Sequence, residues 1–437
     1  MDACADRRAL LFAQRSIGRY ATRQKQYIPD SVMSERTQVA IIGAGPAGLL
    51  LGQLLHRQGI EAVILEARGR DYVEARIRAG VLEQGTMEVL REAGVGERMD
   101  REGLRHGGIY LCFDGTLHHI PMSELTHGRA VMIYGQTEVV KDLIAARLAD
   151  GGPLRFECAD VAIDGLDADE PTVRYTHKGV EHELRCDIVA GCDGFHGVSR
   201  TVIPDDVLQV WGRDYPYAWL GILADVAPST DELIYAHSDR GFALHSMRSP
   251  TLSRLYVQVD PDEDITDWPD DRIWSELHER LASPGWELTE GPVLEKSITP
   301  MRSFVAAPMR YRSLVLAGDA AHIVPPTGAK GLNLAVADVT LLAHALADHL
   351  RAGSDAALQD YSDGCLRRVW RAQHFSWWMT TMLHRDPGDD EYGRQLQRSQ
   401  LAYVTSSAAA ATSLAENYVG LPLDQTAVTA GGIVTHG

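Results

Sequence analysis

The clearest pattern of apolar positions lies between residues 39 and 66. Val39–Ile42 and Ala62–Leu65 are apolar runs of strand length, and the residues between them include an apolar helical stretch. A glycine-rich turn follows the first run and an acid follows the second: Gly43, Gly45, Gly48 and Glu66. This order of strand, G-x-G-x-x-G turn, helix, strand and acid predicts a βαβ unit that binds a dinucleotide.

Each glycine of this turn has its own physical reason. Gly43 permits the tight turn, Gly45 lets the backbone approach a pyrophosphate, and Gly48 lets the helix lie close to the strand. The N-terminus of the helix offers unpaired N–H groups and its positive dipole end to phosphates. Glu66 is placed to accept hydrogen bonds from a ribose. The alternative interpretation is an ordinary glycine turn in an α/β protein.

The rest of the pattern predicts α/β segments around a strand-rich region. Residues 83–99 and 136–149 have helical periodicity, and residues 108–134 alternate around a turn as a hairpin does. Further strands are predicted at residues 218–224, 232–236, 241–247 and 253–259. Such a run of strands indicates an antiparallel sheet in a second lobe. Helices are predicted at 271–282, from about 331 to 350, and from 356 onward.

Three further sequence features are candidates for binding a nucleotide. One predicted strand ends in Asp193-Gly194 and another in Gly318-Asp319. The arginines Arg76 and Arg78 follow the first βαβ unit, and guanidinium groups pair well with phosphate. A solvated basic face is the alternative interpretation of the two arginines.

Composition and charge narrow the class of protein. The chain has 437 residues, of which 45% are hydrophobic, and a net charge of −18. This length allows two domains or one large α/β unit. The acidic balance argues against nucleic acid or an anionic membrane as partner, but it permits a locally basic site for an anionic substrate. No apolar run approaches the ~20 residues that span a bilayer.

Cysteine usage predicts a reducing compartment. The six cysteines are scattered without a C-x-x-C pair, and no secretory signal precedes them. We therefore predict reduced cysteines, no metal site and a cytoplasmic location. Residues 1–33 are rich in arginine and lack a convincing period, so we expect an over-extended gene start with Met33 as initiator. A disordered tail and a transit peptide are the alternatives.

Three motifs together resemble the group A FAD-dependent aromatic hydroxylases: the glycine turn with Glu66, Asp193-Gly194 and Gly318-Asp319. Within that family, the flanking segments are most similar to the members that hydroxylate 4-hydroxybenzoate; these segments are residues 76–85, 190–197, 314–334 and 416–422. The resemblance covers roughly residues 35–423. It implies an α/β fold in which a Rossmann-like FAD-binding domain is interleaved with a β-sheet substrate domain and followed by a helical region.

The resemblance also implies how the chain is divided. We expect an N-terminal tail at 1–34, followed by a FAD-binding domain in the three parts 35–110, 135–207 and 301–350. The substrate domain would comprise a hairpin at 111–134 and a β-sheet at 208–300, and the helical region would cover 351–437. A homodimer is expected from the family alone.

The residues implied to bind FAD come from all three parts of its domain. They are Gly43, Gly45, Gly48, Glu66, Arg76, Arg78, Gln136, Asp319, Gly331, Leu332 and Asn333. A second set is implied to contact NAD(P)H or to govern flavin movement: Tyr72, Phe195, His196, Arg254 and Arg302. The helix that begins near Gly331 would direct its positive end toward the flavin and stabilise the anionic reduced form.

The implied substrate pocket binds both ends of a hydroxybenzoate. Ser246, Arg248 and Tyr256 match the residues that hold the carboxylate, for which a bidentate guanidinium is well suited. The phenol end is implied to meet Tyr235 and the carbonyl of Pro326, with Tyr418 next in a proton relay and His106 at its solvent end. Ionising the phenol makes the ring electron-rich enough for attack on a flavin hydroperoxide, and histidine titrates near neutral pH.

The expected reaction is hydroxylation of 4-hydroxybenzoate to 3,4-dihydroxybenzoate with NAD(P)H and O2, in aromatic catabolism. The alternatives are another para-substituted benzoate, such as 4-aminobenzoate, and a flavin-binding protein without monooxygenase activity. Ala67 follows Glu66 where the family member carries an arginine for the 2′-phosphate of NADPH, and Arg68 comes next. Use of NADH as well as NADPH is therefore open. His245 replaces a small residue, but strand alternation should turn it away from the pocket.

Overall fold

The βαβ unit at residues 39–66 is present as predicted. The computed structural model describes residues 33–75 and 80–422, and in it Val39–Ile42 and Ala62–Leu65 are neighbouring parallel strands in register. Both strands are buried along their whole length, which explains their continuous apolar runs. Residues 1–32 of the predicted tail at 1–34, the arginines Arg76 and Arg78, and residues 423–437 lie outside the described residues.

The helices in the described part of the chain follow the predicted order. In chain order they are α1 (Pro46–Arg57), α2 (Arg70–Ala75), α3 (Gln84–Glu92), α4 (Glu97–Glu102), α5 (Met122–Leu125), α6 (Gln136–Ala149), α7 (Asp270–Leu281), α8 (Lys330–Ala352), α9 (Ala356–Leu383), α10 (Glu391–Ser406) and α11 (Ala408–Val419). The single helix predicted at 83–99 is two helices, because the segment between them contains Gly94, with φ of 78°, and Gly96.

The strands, in chain order, are β1 (Met33–Arg36), β2 (Val39–Ile42), β3 (Ala62–Leu65), β4 (Val81–Leu82), β5 (Leu104–His106), β6 (Ile109–Phe113), β7 (Thr116–Ile120), β8 (Val131–Ile133), β9 (Leu154–Arg155), β10 (Cys158–Asp164), β11 (Thr172–His177), β12 (Val180–Arg185), β13 (Ile188–Gly191), β14 (Gln209–Ala224), β15 (Ile234–Ala236), β16 (Ala243–Ser249), β17 (Leu252–Val259), β18 (Val293–Ala307), β19 (Arg310–Tyr311), β20 (Leu314–Leu316) and β21 (His322–Ile323). Short 3-10 turns lie at Ser199–Val202, Ile265–Asp267 and Gly318–Ala320.

The first large sheet collects distant parts of the chain. Its order is β19-β20-β13-β2-β3-β9, and all pairs except β19–β20 are parallel. In such a sheet the carboxyl ends of the strands form one edge, and ligands bind in the crevice beyond that edge. The Gly43, Cys192-Asp193 and Ala317-Gly318 turns therefore follow three adjacent strands. This mixed α/β architecture, with its C-terminal helices, confirms the predicted fold class.

The second large sheet is the predicted antiparallel lobe. Its order is β21-β18-β14-β17-β16-β15-β6-β7, with β15 and β6 the one parallel pair among its described ladders. The predicted hairpin about Asp114-Gly115 is β6 and β7, whereas β8 leaves that sheet and pairs with β4 and β5. The predicted domain boundary at residue 300 falls inside β18, which pairs with β14 from Val293 to Ala307.

Side chains along these strands point alternately to the two faces of the second sheet, and both faces are buried. Tyr235 and Leu244 point to a core shared with α9, α10 and α11, and Tyr256 packs against it. Their neighbours Ile234 and Ala243 point to the opposite face, which α7 covers with Ile273, Trp274, Leu277 and Leu281. His245 is fully buried on that opposite face, where its Nε2 accepts the backbone N–H of Ser229 at 3.0 Å, so its predicted orientation is confirmed.

Helix α8 crosses the protein as a core helix. The helix has 23 residues, and an 18-residue stretch of it has a mean hydropathy of 1.2, which by length and composition alone would suffice to cross a membrane. In the fold, 67% of that stretch is buried inside the protein, as expected for the central helix of a large α/β core.

The glycine turn yields a stability prediction. A Cβ on Gly48 would overlap the carbonyl oxygen of Gly43 and lie 3.1 Å from Ile41 Cγ2, so α1 would have to move away from the sheet. We expect Gly48→Ala to lower the free energy of unfolding of the apoprotein by about 1–3 kcal/mol, measured by urea unfolding. Gly364→Ala in α9 is the matched control: its Cβ would have no atom closer than 4.0 Å, and we expect a gain of about 0.5–1 kcal/mol. Equal stabilities of the two variants would contradict the close packing at Gly48.

Candidate active site

The turn from β2 into α1 has the geometry of a phosphate-binding turn. Gly43 has φ of 104°, and its N–H bonds to the carbonyl of Leu65 at 2.7 Å. Whereas Gly43 and Gly48 are closely packed, a Cβ on Gly45 would have no neighbour within 4 Å, so the backbone there faces open space. No side chain caps the N-terminus of α1, and its first turn contains no acid. The N–H groups and the positive dipole end are thus left for a ligand anion.

Glu66 holds the turn from the other side. Its Oε2 accepts the N–H of Ala44 and its Oε1 accepts the N–H of Arg68, each at 2.8 Å. A carboxylate can accept about four hydrogen bonds, so these two contacts leave capacity for a ribose. The same contacts fix the direction of the chain after β3, where the Arg68 guanidinium lies 5.5 Å from the ring of Tyr72, which is half exposed.

The aspartates of the other two turns have different surroundings. Asp193 is turned into its own loop, where Oδ2 accepts the N–H of Ser199 at 2.8 Å and its hydroxyl at 2.9 Å. Burial raises the pKa of Asp193, although the bonds from Ser199 oppose that rise. Asp319 is exposed at the carboxyl edge of the first sheet. Of the two, Asp319 is therefore the carboxylate that can reach a ligand.

A buried ion pair supports the Gly318-Asp319 turn from below. Asp338 Oδ2 lies 2.6 Å from His322 Nε2 and accepts the N–H of Gly318 at 3.0 Å. Burial lowers the pKa of His322, but the opposing effect of Asp338 is larger in sum, so the pKa is raised. Neither residue was predicted from the sequence. The signal was present, because an acid in the middle of the apolar α8 needs a buried partner.

The N-terminus of α8 is fixed by two side chains. Asn333 Oδ1 accepts the N–H of Glu83 and the hydroxyl of Thr86, while its Nδ2 donates to the carbonyls of Val81 and Ala329. Lys330, which is 3% exposed, donates to Glu83 Oε1 at 2.6 Å and to the carbonyl of Tyr418 at 3.0 Å. Burial lowers the pKa of Lys330 and Glu83 opposes that shift. Lys330 and Glu83 were also missed by sequence reasoning.

The predicted FAD residues near these helix ends are arranged as follows. Gly331 is half-buried, and a Cβ there would have no neighbour within 4 Å, as at Gly45. Leu332 packs against the core of the first sheet, and Gln136 is the half-buried first residue of α6. No side chain caps α6 or α8. Uncapped helix ends and open backbone at two glycines fit an elongated, anionic cofactor such as FAD.

One face of the second sheet holds the predicted substrate residues. Tyr235, Leu244 and Tyr256 lie opposite one another on three adjacent strands, and Ser246 and Arg254 form the next pair along that face. Arg254 Nε donates to the Tyr256 hydroxyl at 3.2 Å. Arg254 Nη1 is buried and has no hydrogen-bond partner among the described residues. A buried guanidinium N–H in that state fits an anionic ligand at this face.

Arg248 lies beside this face and next to the first residues of α6. Its Nη2 donates to the Thr137 hydroxyl at 2.9 Å, and its guanidinium lies against the Cα of Gly135, where a side chain would overlap it. Burial, and to a lesser extent the charge of Arg254, lower the pKa of Arg248. Two guanidinium groups, Ser246 and Tyr256 thus form a basic, partly buried cluster in an acidic protein. Thr137 was not predicted, because nothing in the sequence links it to β16.

The predicted proton relay is only partly visible. The hydroxyls of Tyr235 and Tyr418 are 2.6 Å apart and fully buried. Burial raises the pKa of both tyrosines, and the backbone of Gly328 opposes this at Tyr235. The carbonyl of Pro326 accepts the N–H of Ala329 at 2.9 Å and has a second lone pair. Thr327, between Pro326 and Gly328, was not predicted; it is fully buried and its hydroxyl lacks a partner among the described residues.

His106 differs from the expectation of a solvent end to the relay. Its side chain is 1% exposed, and its Nδ1 has no hydrogen-bond partner within residues 33–75 and 80–422. Burial lowers its pKa, and Glu232 and Asp231 act in the opposite direction. His106 is buried because it is the last residue of β5 and pairs with Val131 of the fully buried strand β8.

The residues expected at the NAD(P)H site form a separate aromatic cluster. Arg302 lies 5.1 Å from the centre of the Phe195 ring, and the ring of His196 meets Phe195 edge-on at 4.9 Å. Arg200 donates to the carbonyls of Phe195 and Ala320, which joins the second and third turns. The structure thus brings Phe195, His196 and Arg302 together, whereas Tyr72 contacts Arg68.

Two arginines hold the chain that follows Tyr418. Arg129 donates to the carbonyl of Gly420, and Arg368 donates to those of Leu421 and Pro422 at 3.2 and 2.8 Å. Because carbonyls are the acceptors, this contact depends on the course of the backbone and not on the side chains after Tyr418.

Comparison with known proteins agrees with this geometry. A family profile described as FAD binding domain matches residues 36–376. The chain is 50% identical over 390 residues to p-hydroxybenzoate hydroxylase from Acinetobacter baylyi, covering 89% of this chain and 96% of that protein. It is 26% identical over 353 residues to a probable NADH-specific resorcinol 4-hydroxylase from Rhodococcus jostii, covering 76% of this chain and 63% of that protein.

A solved structure shares the fold. The crystal structure of p-nitrophenol 4-monooxygenase from Pseudomonas putida superposes with a TM-score of 0.74 at 21% identity, covering 88% of this chain and 97% of that one. The predicted resemblance is thereby confirmed. With a profile match over most of its length and half of its residues identical across nearly the whole of one relative, the chain belongs to the FAD binding domain family of flavin-dependent aromatic hydroxylases.

Proposed function

We propose that this protein is an FAD-dependent monooxygenase that converts 4-hydroxybenzoate to 3,4-dihydroxybenzoate with NAD(P)H and O2. One observation supports the choice of substrate: the same sheet face holds Tyr235 on β15 and Arg254 on β17, two strands away, with Arg248 on β16 between them, and the Tyr235 hydroxyl is bonded to that of Tyr418 on α11. Arg248 lies four residues along β16 from Leu244, the partner of Tyr235, and four residues of strand span about 13 Å, which leaves room for one aromatic ring between an anion site and a phenol site. The 50% identity to p-hydroxybenzoate hydroxylase supports the same substrate.

The cofactor would be held along the carboxyl edge of the first sheet. The turn at Gly45 and the N-terminus of α1 would bind its pyrophosphate, Glu66 a ribose, and Asp319 the adjoining chain. The backbone at Gly331 and Leu332, with Asn333 fixing it, would meet the ring at the N-terminus of α8. When bound, FAD supplies the reduction by NAD(P)H and the activation of O2.

The protein's own residues would orient and ionise the substrate. Arg248, Ser246 and Tyr256 would bind the carboxylate, with the unpaired Nη1 of Arg254 nearby. At the other end, the Tyr235 hydroxyl and the Pro326 carbonyl would meet the phenol, and Tyr235 would pass the phenol proton to Tyr418. The resulting phenolate activates the ring carbon ortho to it. Because the tyrosine pair serves a phenol proton, it favours 4-hydroxybenzoate over 4-aminobenzoate, whose amine has no proton to lose near pH 7.

Coenzyme choice follows from the residues after Glu66. Ala67 cannot bind a 2′-phosphate, but the next residue, Arg68, is paired with the exposed ring of Tyr72. We infer that both NADPH and NADH reduce the enzyme.

We also infer a homodimer, from the family, and a cytoplasmic location, which the five free cysteines in the described part of the chain support.

The direct test is coenzyme oxidation by the purified flavoprotein. We expect 4-hydroxybenzoate to accelerate oxidation of both NADPH and NADH, with one 3,4-dihydroxybenzoate formed per coenzyme, as measured by chromatography. Acceleration with hydrogen peroxide as the only product would mean that the compound is an effector and that another benzoate is the substrate. Faster turnover with 4-aminobenzoate would favour that alternative, and no acceleration by any benzoate would favour a non-catalytic flavoprotein.

Replacing Tyr235 tests the phenol end. Tyr235→Phe removes the hydroxyl that bonds Tyr418, so we expect kcat to fall by about 10²–10⁴-fold and the phenolate absorbance of bound substrate to appear only at higher pH. Tyr217→Phe is the matched control, since Tyr217 is also buried in the aromatic core and stacks on His384. A normal phenolate spectrum in Tyr235→Phe would refute the proposed role.

Replacing Arg248 tests the carboxylate end. We expect Arg248→Gln to raise the Kd of 4-hydroxybenzoate by about 30-fold or more, because a buried charge pair is worth about 2 kcal/mol or more. The amide 4-hydroxybenzamide is the control ligand, since it lacks the charge and should bind both proteins similarly. If the variant still prefers the acid over the amide as strongly as the unaltered protein does, Arg248 does not bind the carboxylate.

A further inference from the structure

The proton route of the proposed reaction needs a group beyond His106. A phenol proton must reach water, yet His106 is 1% exposed and its Nδ1 has no partner among the described residues. The family resemblance places His106 after Tyr418 in the relay, and a side chain buried to this extent cannot release a proton to bulk solvent without a neighbour. The residues around β5, β6 and β7 supply such a neighbour.

A carboxylate lies over the backbone that follows His106. Glu232 precedes β15, the strand of Tyr235, and its side chain reaches across to Gly107 and Gly108. An ideal Cβ on Gly108 would lie 2.7 Å from Glu232 Oε2, and one on Gly107 would lie 4.0 Å from Oε1. Glu232 also exerts the largest charge effect on His106, opposing the effect of burial on its pKa.

A histidine connects this carboxylate to the surface. His119 Nε2 lies 2.7 Å from Glu232 Oε2, and the two side chains are 44% and 19% exposed. The ring of His119 lies tilted against that of Tyr110, with 4.9 Å between the ring centres. His106, Glu232 and His119 therefore form a series that runs from a buried site to an exposed one.

Few other charged groups of the described residues face this series. Asp231 adds a second negative charge near His106. Arg105, the residue before His106, donates to the carbonyl of Gly128 and is exposed. The Ser123 hydroxyl next to Gly107 donates to the carbonyl of Arg129. The charges near His106 are thus negative on the side of β15.

We propose that Glu232 and His119 are relay residues that form the outer end of the proton route from the substrate phenol. The proposal rests on the proposed function. The phenol loses its proton to the Tyr235–Tyr418 hydroxyls, which end with the same number of protons as before. His106 receives one proton, passes it to the Glu232–His119 pair, and His119 releases it to water. The steps run in reverse when the product is protonated, so no charge accumulates over a turnover.

The test follows ionisation of bound substrate in the holoenzyme. After a rapid pH jump in dilute buffer, the phenolate absorbance of bound 4-hydroxybenzoate reports how fast its proton leaves. We expect Glu232→Gln and His119→Gln to slow this step at least about tenfold and to lower kcat, with KM for 4-hydroxybenzoate unchanged. Added imidazole should restore the rate, because it can replace the missing proton carrier. A merely structural role would not be rescued by imidazole.

The matched control is His118→Gln. His118 is the neighbour of His119 on β7, but its ring stacks on Phe113 at 4.5 Å and so lies on the other side of the strand. We expect the rate of ionisation to be unchanged in this variant.

Either of two results would overturn the proposal: ionisation in His119→Gln as fast as in the unaltered enzyme, or slow ionisation in both variants that imidazole does not restore. His119→Gln keeps the test valid if Glu232→Gln fails to fold, because His119 is half exposed. If instead the unaltered enzyme shows no phenolate and no hydroxylation, the proposed function itself has failed, and the variants are not informative about the relay.

Discussion

The buried ion pair between Lys330 and Glu83 is the contact on which the arrangement of the site depends. Taking an ammonium group and a carboxylate out of water costs several kcal/mol per ion, so each must find the other and fill its remaining hydrogen bonds. Lys330 does this with Glu83 and the carbonyl of Tyr418. One side chain therefore joins the segment before α3, the first turn of α8 and the last described helix, three parts of the chain that are far apart in sequence.

Of the acids near the carboxyl edge of the first sheet, two have structural contacts and one is exposed. Asp193 Oδ2 accepts two hydrogen bonds from Ser199, and Asp338 Oδ2 contacts His322 and accepts the N–H of Gly318; Asp193 is half-buried and Asp338 is fully buried. Their hydrogen bonds make the two turns rigid. Asp319 remains exposed and has no such structural contact among the described residues. The Gly318-Asp319 turn is held by Asp338 and can therefore present the Asp319 carboxylate in a fixed direction. Such an arrangement suits a cofactor that is bound at several points.

Much of the fold could be predicted because its signals are local. The apolar runs of β2 and β3, the glycine spacing and the start of α8 each lie within a few residues, and they have the predicted form. The full length of β14 could not be predicted, because its first six residues are exposed without a regular apolar pattern and are extended through pairing with the distant β18. The same holds in the site. Tyr235 and Tyr418 were identified only through resemblance, and the contacts of Arg248 with Thr137 and of Lys330 with Glu83 join residues that no spacing rule connects.

The position of Tyr418 near the end of the described chain has a consequence for synthesis. A ribosome makes the chain from its N-terminus, and segments fold as they emerge. The glycine turn and most of the second sheet are therefore complete long before α11 and the backbone that Arg129 and Arg368 hold. A nascent chain would therefore contain the glycine turn proposed to bind a nucleotide before it contains Tyr418, which is proposed to help ionise the phenol. With Tyr418 in the proposed role, the chain would gain the proposed chemistry only after α11 has been made.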